Sequence, residues 1–341
     1  MANFSKKQII FSLSTVPLVF ITAAFLTEFK PQSTQKNIIT KSFDSKPLQK
    51  GTPFTLFNWN IQYAGSRKHN FFYDGGKVVR VPEVDVRETL ISIKKEIFKI
   101  DPDIVLLQEV DRDSHRTHRI DQLREIISDV SGLSWTSTPY HQASFIPAPF
   151  GDPLGRVDLH QAVLTKFEIA TSKRIQLSLL DEPRWRQMFN LKRAILATSI
   201  PIQHQNKHLH VATTHLSAFS FGDGTLDKQV DELLNWIQAL PPNEPWILAG
   251  DFNLLPIGDD PKRLEDGEKY YQSTSNPLQK LSQKYKNAIT PENYTYQPFG
   301  QKPDRKIDYI FYGGPISVVE SAVLSSDTSD HLPIFAKFIL K

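Results

Sequence analysis

Short apolar runs recur along this chain and alternate with segments of helical periodicity. They are the strongest constraint on the fold, because runs of this length suit strands buried in a sheet. The predicted strands are Phe54–Ile61, Ile104–Glu109, Gln161–Lys166, Arg193–Ile200, His208–Leu216, Trp246–Phe252, Ile307–Tyr312 and Leu332–Leu340. The predicted helices are Arg87–Ile100, Arg119–Val130 and Leu226–Leu240. The alternation predicts a layered α/β domain in which helices cover sheets.

Carboxylates, amides and imidazoles stand where many of these apolar runs meet a loop. A single aspartate at such a position is usually a turn former or a helix cap. Repetition at many strand ends instead favours side chains that converge on one site. The residues concerned are Asn60, Glu109, His215, Asp251, Asn253, Asp308, Asp330 and His331.

The composition narrows the chemistry of such a site. The chain has no cysteine, which excludes thiolate metal sites, disulfides and cysteine nucleophiles. Carboxylates and amides suit Mg²⁺ or Mn²⁺, and histidines beside carboxylates can transfer protons near neutral pH. The sequence contains no G-x-S-x-G, P-loop or G-x-G-x-x-G motif. Metal-assisted attack of water on a phosphoester is therefore the leading reaction class.

The N-terminus differs from the rest of the chain. Residues 1–7 carry a basic flank, and the following residues 8–27 are uncharged and largely apolar. This pattern fits a single-pass transmembrane anchor or a secretory signal. Pro17 and the terminal position argue against a buried helix of a soluble protein. With no clear cleavage site, we expect an uncleaved membrane anchor, with the rest of the chain on the outer or periplasmic side, or secreted if the segment is cleaved.

Composition also divides the remainder of the chain. Residues 28–51 are polar and are predicted to form a linker, and residues 52–341 are predicted to be one catalytic domain. Tyr140–Asp158 contains several prolines and glycines, which predicts a long surface loop. The net charge of +3 is too small to argue for a nucleic-acid partner by charge alone.

Six motifs, in order, resemble those of the endonuclease/exonuclease/phosphatase superfamily. They are NWN (Asn58–Asn60), LLQEVD (Leu106–Asp111), TTHL (Thr213–Leu216), AGDFN (Ala249–Asn253), RKIDYIF (Arg305–Phe311) and SDHLPI (Ser329–Ile334). Its members include DNase I-like nucleases, abasic-site endonucleases, neutral sphingomyelinases and inositol-polyphosphate 5-phosphatases. The similarity extends from about Thr52 to Lys341. It implies a four-layer α/β sandwich, with two central mixed or antiparallel β-sheets flanked by helices and the site at one edge of both sheets.

The resemblance also implies a role for each strand-end residue. Glu109 would be the main metal ligand, with Asn60 beside it and Asp330 completing the carboxylates on the metal side. Asp251 would orient or deprotonate the attacking water, and Asn253 would hold a phosphate oxygen.

The histidines complete the implied set. His215 would stabilise the charge that develops at phosphorus. His331 would contact the scissile phosphate or the water, and Asp308 would fix its orientation. Such a site stabilises the transition state of an in-line displacement and needs no covalent enzyme intermediate.

Two positions depart from the pattern of several nucleases in this superfamily. Gln62 stands where those enzymes have an acid, and His160-Gln161 stands where a small residue and asparagine are usual. Both positions are expected to contact substrate, which makes Gln161 a candidate substrate-binding residue. The departures weigh against a DNA substrate. They do not affect the residues that are implied to bind the metal and to activate the water.

Basic residues supply the other substrate-binding candidates. Arg112 and Arg116 follow Glu109 and could hold a second phosphate or an anionic head group, because arginine matches phosphate oxygens. Arg193 lies in a basic and aromatic stretch, Pro183–Arg193, of a kind found at membrane interfaces and single-strand binding sites. The alternative for both segments is an ordinary solvated loop.

The sequence therefore favours a membrane-tethered or exported, monomeric, divalent-metal-dependent phosphoester hydrolase. A phospholipid or another phosphodiester is the preferred substrate. The first alternative is an extracellular or periplasmic endonuclease or exonuclease. The second is a catalytically inactive binding module on the same fold, which is disfavoured because each matched position holds a competent residue.

Overall fold

The computed structural model describes residues 22, 24–128, 130, 132–218, 220, 222–271 and 276–341. The basic flank 1–7 and residues 8–21 and 23 of the predicted anchor or signal 8–27 lie outside these residues. Within the described part of the chain, no helix is long and apolar enough to cross a membrane.

The described residues form two seven-stranded sheets. The strands are β1 (Thr34–Lys36), β2 (Ile39–Thr40), β3 (Phe54–Asn60), β4 (Ile104–Asp111), β5 (Ser134–Ile146), β6 (Gly155–Thr165), β7 (Thr171–Gln176), β8 (Ala194–Pro201), β9 (His208–His215), β10 (Trp246–Asp251), β11 (Lys286–Asn287), β12 (Asp308–Gly313), β13 (Ile316–Val323) and β14 (Ile334–Leu340). Sheet I has the order β1-β7-β8-β9-β10-β12-β11, and sheet II has the order β13-β14-β3-β4-β6-β5-β2. Both are mixed, as predicted: β9 and β10 are parallel in sheet I, and β3 and β4 are parallel in sheet II.

The helices are α1 (Glu83–Ile100), α2 (Gln122–Ile127), α3 (Arg184–Gln187), α4 (Thr225–Gln238), α5 (Gly267–Tyr270) and α6 (Gln279–Ser282), with 3₁₀ turns at Gln62–Ala64, Phe72–Asp74, His115–Thr117 and Pro261–Arg263. Of these, α1 and α2 cover the outer face of sheet II, and α4 and α6 cover the outer face of sheet I. Helix α1 buries Leu90, Ile93 and Ile97, spaced three and four residues apart, which is the stripe expected of a helix packed on a sheet.

Three apolar clusters define the layers. One lies between the sheets and joins Leu106 of β4 to Ile247 of β10. A second joins α1 and α2 to the outer face of sheet II, and a third joins α4 and α6 to the outer face of sheet I. This arrangement is the α/β sandwich that the sequence predicts.

Strands β7, β11 and β13 were not predicted, and two further segments differ from the sequence-based predictions. Tyr140–Asp158 is not a long loop, because β5 and β6 pair as an antiparallel hairpin and only residues 147–154 connect them. The prediction was wrong because the part of β5 in this segment buries His141 and exposes Phe145, and so shows no apolar run. In the predicted linker 28–51, β1 pairs with β7 of sheet I and β2 with β5 of sheet II.

The strand directions bring the predicted site residues to one edge of the sandwich. Strands β3, β4, β9 and β10 run toward this edge, and β12 and the chain before β14 start from it. In sheet I, Asp251 pairs with His215 on one side and with Asp308 on the other. The residues placed at this edge are Asn60, Glu109, His215, Asp251, Asp308 and His331.

We expect Gly250→Ala to destabilise the protein by about 2–4 kcal/mol. A Cβ atom at this position, where φ is +149°, would lie 1.9 Å from the backbone oxygen of Thr214 on the neighbouring strand. The free energy of unfolding, measured by urea denaturation, checks this. The matched control is Gly258→Ala, where φ is +84° and nothing lies within 4 Å, with an expected loss of about 1 kcal/mol. Equal losses would contradict the close-approach explanation.

Candidate active site

The buried carboxylate of Asp251 is the hub of the site. Its Oδ2 accepts a hydrogen bond from Asn60 Nδ2 at 3.0 Å and lies 3.1 Å from Nε2 of His215. Its Oδ1 accepts the backbone N–H of Asn253 at 3.0 Å. Burial, with a further contribution from the charge of Asp308, raises the pKa of Asp251 to about 7. This carboxyl group can therefore exchange a proton near neutral pH.

His331 approaches Asp251 from the opposite side. Its Nδ1 lies 2.9 Å from Oδ2 of Asp308, and its Nε2 lies 3.5 Å from Oδ2 of Asp251. Burial opposes protonation of the ring, but the carboxylates of Asp308 and Asp251 hold the pKa of His331 well above its ordinary value. The carboxylate of Asp308 thus fixes the orientation of the ring and favours its charged form.

His215 has the opposite character. Burial, together with the positive charges of Arg193 and His331, holds the pKa of His215 well below its ordinary value. The site therefore contains one imidazole that favours the charged form and one that favours the neutral form. Such a division of protonation states is typical of paired acid and base groups in active sites.

A β-bulge aims Glu109 at the site. The register of β4 against β6 shifts between Leu107 and Val110, and Glu109 has a positive φ of 55°. Its backbone N–H donates to the hydroxyl of Tyr140 at 3.2 Å, and its Oε1 accepts from Asn60 Nδ2 at 3.1 Å. Bulges commonly redirect a side chain next to an active site, and here the bulge turns an acid toward the cavity.

The loop that carries Asp330 and His331 is anchored at several points. Ser329 Oγ donates to the backbone oxygen of Asn60 at 2.8 Å, and the indole N–H of Trp59 donates to the backbone oxygen of His331 at 2.8 Å. Farther back in the loop, the hydroxyls of Ser326 and Thr328 both donate to Glu96 of α1. Sequence reasoning did not single out Glu96, since its partners are more than 200 residues away.

The donor set fits a divalent cation. In the described part of the chain, Glu109, Asp251 and Asp330 form no ion pair with lysine or arginine. Burial, reinforced by the charge of Glu109, raises the pKa of Asp330 to about 6. A cation would relieve this repulsion, and oxygen donors are the ligands that Mg²⁺ and Mn²⁺ prefer.

Two observations constrain the ligand set. The side-chain oxygen of Asn60 accepts from the backbone N–H of Gln62, which leaves its second lone pair for a cation. Ligand atoms of Asp251, Asp308 and His331 lie within 4.8 Å of one another. Because Asp308 already binds Nδ1 of His331, we interpret this trio as a hydrogen-bonded chain.

Asn253 lies beyond the end of the strand. Strand β10 ends at Asp251, and Asn253 has a φ of 50°, so the two side chains do not project from one strand face. The Asp251 carboxylate instead caps the turn by accepting the Asn253 N–H. The side chain of Asn253 donates to the backbone oxygen of Leu216 at 3.1 Å and lines the same cavity as Asp251.

The strand-end residues open into a cavity of about 1620 Å³, which is larger than a typical small-molecule pocket. Its walls carry several cations and aromatic rings that sequence reasoning missed, because they come from separate loops. They are Arg67, Lys262, Arg305, Tyr271, Tyr296 and Phe299.

Arg193 and Arg116 both line this cavity, but only Arg193 is available to a ligand. The guanidinium of Arg193 lies over the ring of Tyr140, and its Nη1 is buried without a hydrogen-bond partner. Arg116 forms two hydrogen bonds to Asp111, at 2.8 and 3.0 Å, and lies over the ring of Tyr63. Its charge is therefore already balanced.

The other two substrate-binding candidates do not line the cavity. Arg112 donates two hydrogen bonds to Asp121 and one to Ser137. Gln161 is fully buried and donates to the backbone oxygen of Ala194 at 2.8 Å. Their positions give no support to the substrate contacts expected from the sequence.

Tyr140 is a site residue that sequence reasoning missed. Its hydroxyl accepts from the backbone N–H of Glu109 and lies 3.3 Å from Nδ1 of His215. Alternate residues are buried along the first half of β5, and this alternation could have predicted the strand. It was hidden in the sequence because several of the buried residues are serine or threonine.

The two sheets lie between helical layers, and acids, amides and histidines converge at one edge. This arrangement defines an α/β sandwich with an acid and histidine site at that edge. A model of the endonuclease/exonuclease/phosphatase family matches residues 57–331. The chain belongs to this family.

Individual relatives agree with this assignment. Nocturnin of Mus musculus is 24% identical over 291 residues, which are 80% of this chain and 59% of that protein. The chain thus spans about three fifths of the length of this curated relative.

Solved structures share the fold. An endonuclease/exonuclease/phosphatase from Beutenbergia cavernae aligns with a TM-score of 0.61 and 21% identity, covering 84% of this chain and 72% of that one. The human Nocturnin catalytic domain with bound sulfate aligns with a TM-score of 0.57 and 19% identity, covering 89% of this chain and 97% of that one.

We expect Glu96→Ala to loosen the loop that precedes Asp330 and His331. The substitution removes the carboxylate that accepts from Ser326 and Thr328, at a cost of about 1–3 kcal/mol in the free energy of unfolding. Amide hydrogen exchange should accelerate at residues 326–331. The control is Glu88→Ala on the same helix, where the exposed carboxylate pairs with Lys68 and should change stability by less than about 0.5 kcal/mol. Unchanged exchange in Glu96→Ala would contradict the anchoring role.

Proposed function

We propose that this chain is a divalent-metal-dependent hydrolase that cleaves phosphoester bonds by attack of water. The observation that carries the proposal is the contact of Asp251 with Asn60, His215 and His331, side chains that come from both sheets. Membership of the endonuclease/exonuclease/phosphatase family supports it. An inactive binding module would have no need for this set of titratable groups.

Glu109 and Asp330, with the oxygen of Asn60, are the residues proposed to hold Mg²⁺ or Mn²⁺. When bound, the cation supplies positive charge that offsets the charge of the phosphate oxygens.

The other residues of the chain position the reactants. Oδ2 of Asp251 orients the attacking water and accepts its proton. Nε2 of His331 carries a proton and donates a hydrogen bond to a phosphate oxygen, while Asp308 holds the ring from Nδ1. His215 and Asn253 line the same cavity and stabilise the charge that develops in the transition state.

The cavity indicates a substrate that extends beyond one phosphate group. Its volume of about 1620 Å³ exceeds what a single phosphate fills, and Arg193 offers an unpaired N–H to a second anionic group. We favour a phospholipid or another phosphodiester, and an extracellular or periplasmic nuclease is the alternative. Rates on sphingomyelin, phosphoinositides and single- and double-stranded DNA distinguish the two, and a clear preference for DNA would overturn the lipid assignment.

The uncharged run 8–27 supports the proposed location. As a membrane anchor it would place the catalytic domain outside or in the periplasm, and cleavage would release it. We propose a monomer, because the site draws its residues from one chain.

We expect His331→Ala and Asp251→Asn each to reduce the hydrolysis of bis-p-nitrophenyl phosphate by at least about 10²-fold, the usual effect of a positioned proton-transfer group. Chelation by EDTA should abolish the activity, and added Mg²⁺ or Mn²⁺ should restore it. His204→Ala, at an exposed turn, is the control and should retain the wild-type rate. Activity that survives both EDTA and His331→Ala would exclude the proposed mechanism.

Arg193→Gln should lower kcat/KM for a substrate with two anionic groups by about 10- to 100-fold, which corresponds to loss of a charge-assisted hydrogen bond. Arg156→Gln is the control, because Arg156 pairs with Asp113 and does not line the cavity. Steady-state kinetics on substrates with one and two anionic groups checks the prediction. An equal effect on both substrates would argue against recognition of a second anion by Arg193.

A further inference from the structure

The end of the uncharged N-terminal run is fixed beside the mouth of the active-site cavity. Glu28 is the first charged residue after this run, and its side chain is buried. Its carboxylate lies 2.8 Å from Arg184 of α3, 3.4 Å from Lys30 and 3.8 Å from Lys192. The segment around Glu28 also shares a small groove with Phe189, and Phe189 lines the active-site cavity as well.

Exposed aromatic rings surround this attachment point. Trp185 is 63% exposed, Phe25 is 46% exposed and Phe145 is 44% exposed. Trp185 lies on α3 and borders the active-site cavity, and Phe145 borders the groove that holds Glu28. The aromatic rings therefore lie on the side of the molecule where the cavity opens.

Cations lie between these rings. Arg184 lies over the ring of Phe25 at 5.5 Å, and Arg186 lies over the ring of Trp185 at 5.2 Å. Three cations surround the single carboxylate of Glu28, so a positive surplus remains there. Tryptophan interleaved with arginine is the composition of protein surfaces that rest at the lipid–water interface, where the rings sit among the head groups and arginine meets anionic lipid.

We propose that the surface formed by Phe25, Phe145, Arg184, Trp185 and Arg186, called the rim, docks on an anionic lipid bilayer. The bilayer is the one that the proposed membrane anchor enters, so this inference rests on that anchor. The ion pairs of Glu28 attach the end of the anchor to the domain, so no flexible linker separates the anchor from the rim. The cavity therefore opens at the membrane surface. The site is thereby placed to take a phosphoester head group directly from the bilayer.

The test is fluorescence quenching of the full chain in vesicles of phosphatidylcholine and phosphatidylglycerol whose acyl chains carry bromine, a short-range quencher. Of the tryptophans, Trp59 and Trp246 are buried, while Trp185 is on the rim. We expect the bromine atoms to quench the wild-type emission, and Trp185→Phe to remove most of the quenched fraction. Trp236→Phe, a change on α4 at a residue that does not line the cavity, is the control and should preserve the quenching. Replacing phosphatidylglycerol with phosphatidylcholine should weaken it.

Several results would overturn the rim assignment. The first is wild-type emission that bromine does not quench. The second is equal quenching in Trp185→Phe and the wild type. The third is Trp185 emission that responds to a single-stranded oligonucleotide but not to brominated lipid. Thermal denaturation verifies that each variant is folded. Hydrolysis of bis-p-nitrophenyl phosphate by the same preparations tests the chemistry separately, because this soluble substrate needs no membrane.

Discussion

The hydrogen bond between Asn60 of sheet II and Asp251 of sheet I, 3.0 Å long, is the contact on which the site depends. It ties the ends of β3 and β10 together where the two sheets meet. A second bond between the sheets, 2.7 Å long, joins Gln108, the partner of Asn60 in sheet II, to the hydroxyl of Thr213, two residues before His215 on β9. Both are fully buried and hold the sheets at a fixed separation, so the rigidity of the site is that of the core.

This fixed geometry has an electrostatic cost. Asp251, Asp308 and Asp330 are held at one edge of the sandwich with one imidazole, His331, that favours its charged form. Burial raises the pKa values of Asp251 and Asp330 to about 7 and about 6. Acids that are buried together destabilise the fold, and binding of a cation or a proton relieves this destabilisation. The raised pKa values and the preference for a bound cation therefore both follow from the same packing.

Most of the fold could be predicted because its central strands are buried on both faces. Strand β10 is apolar from Trp246 to Ala249 and fully buried, and the predicted bounds of β3 and β10 lie within one residue of the observed ones. Strand β5 was missed because its first three buried positions are Ser134, Thr136 and Thr138, so that it begins without an apolar run. Edge strands β1 and β2 were missed because they pair through backbone atoms and leave no pattern in the side chains.

The strand-end residues of the site could be predicted for the same reason, since each directly follows or precedes a recognisable strand. The substrate-contacting arginines could not be separated by sequence. Arg193 and Arg112 are both flanked by apolar strands, yet a carboxylate pairs with Arg112 and none pairs with Arg193 in the described structure. That difference depends on the position of Asp121 in the folded chain. The direction of Asn253 was likewise set by a turn that the Asp251 carboxylate caps.

The most direct test of the account is the anomalous difference density of Mn²⁺ in crystals of the full chain grown or soaked with the metal. The account predicts a peak bounded by Glu109, Asp330 and the side-chain oxygen of Asn60, and loss of this peak in Glu109→Gln. A peak at another place on the molecule, or none at a metal concentration that supports hydrolysis, would contradict the claim that the strand ends converge on a metal-dependent phosphoester site.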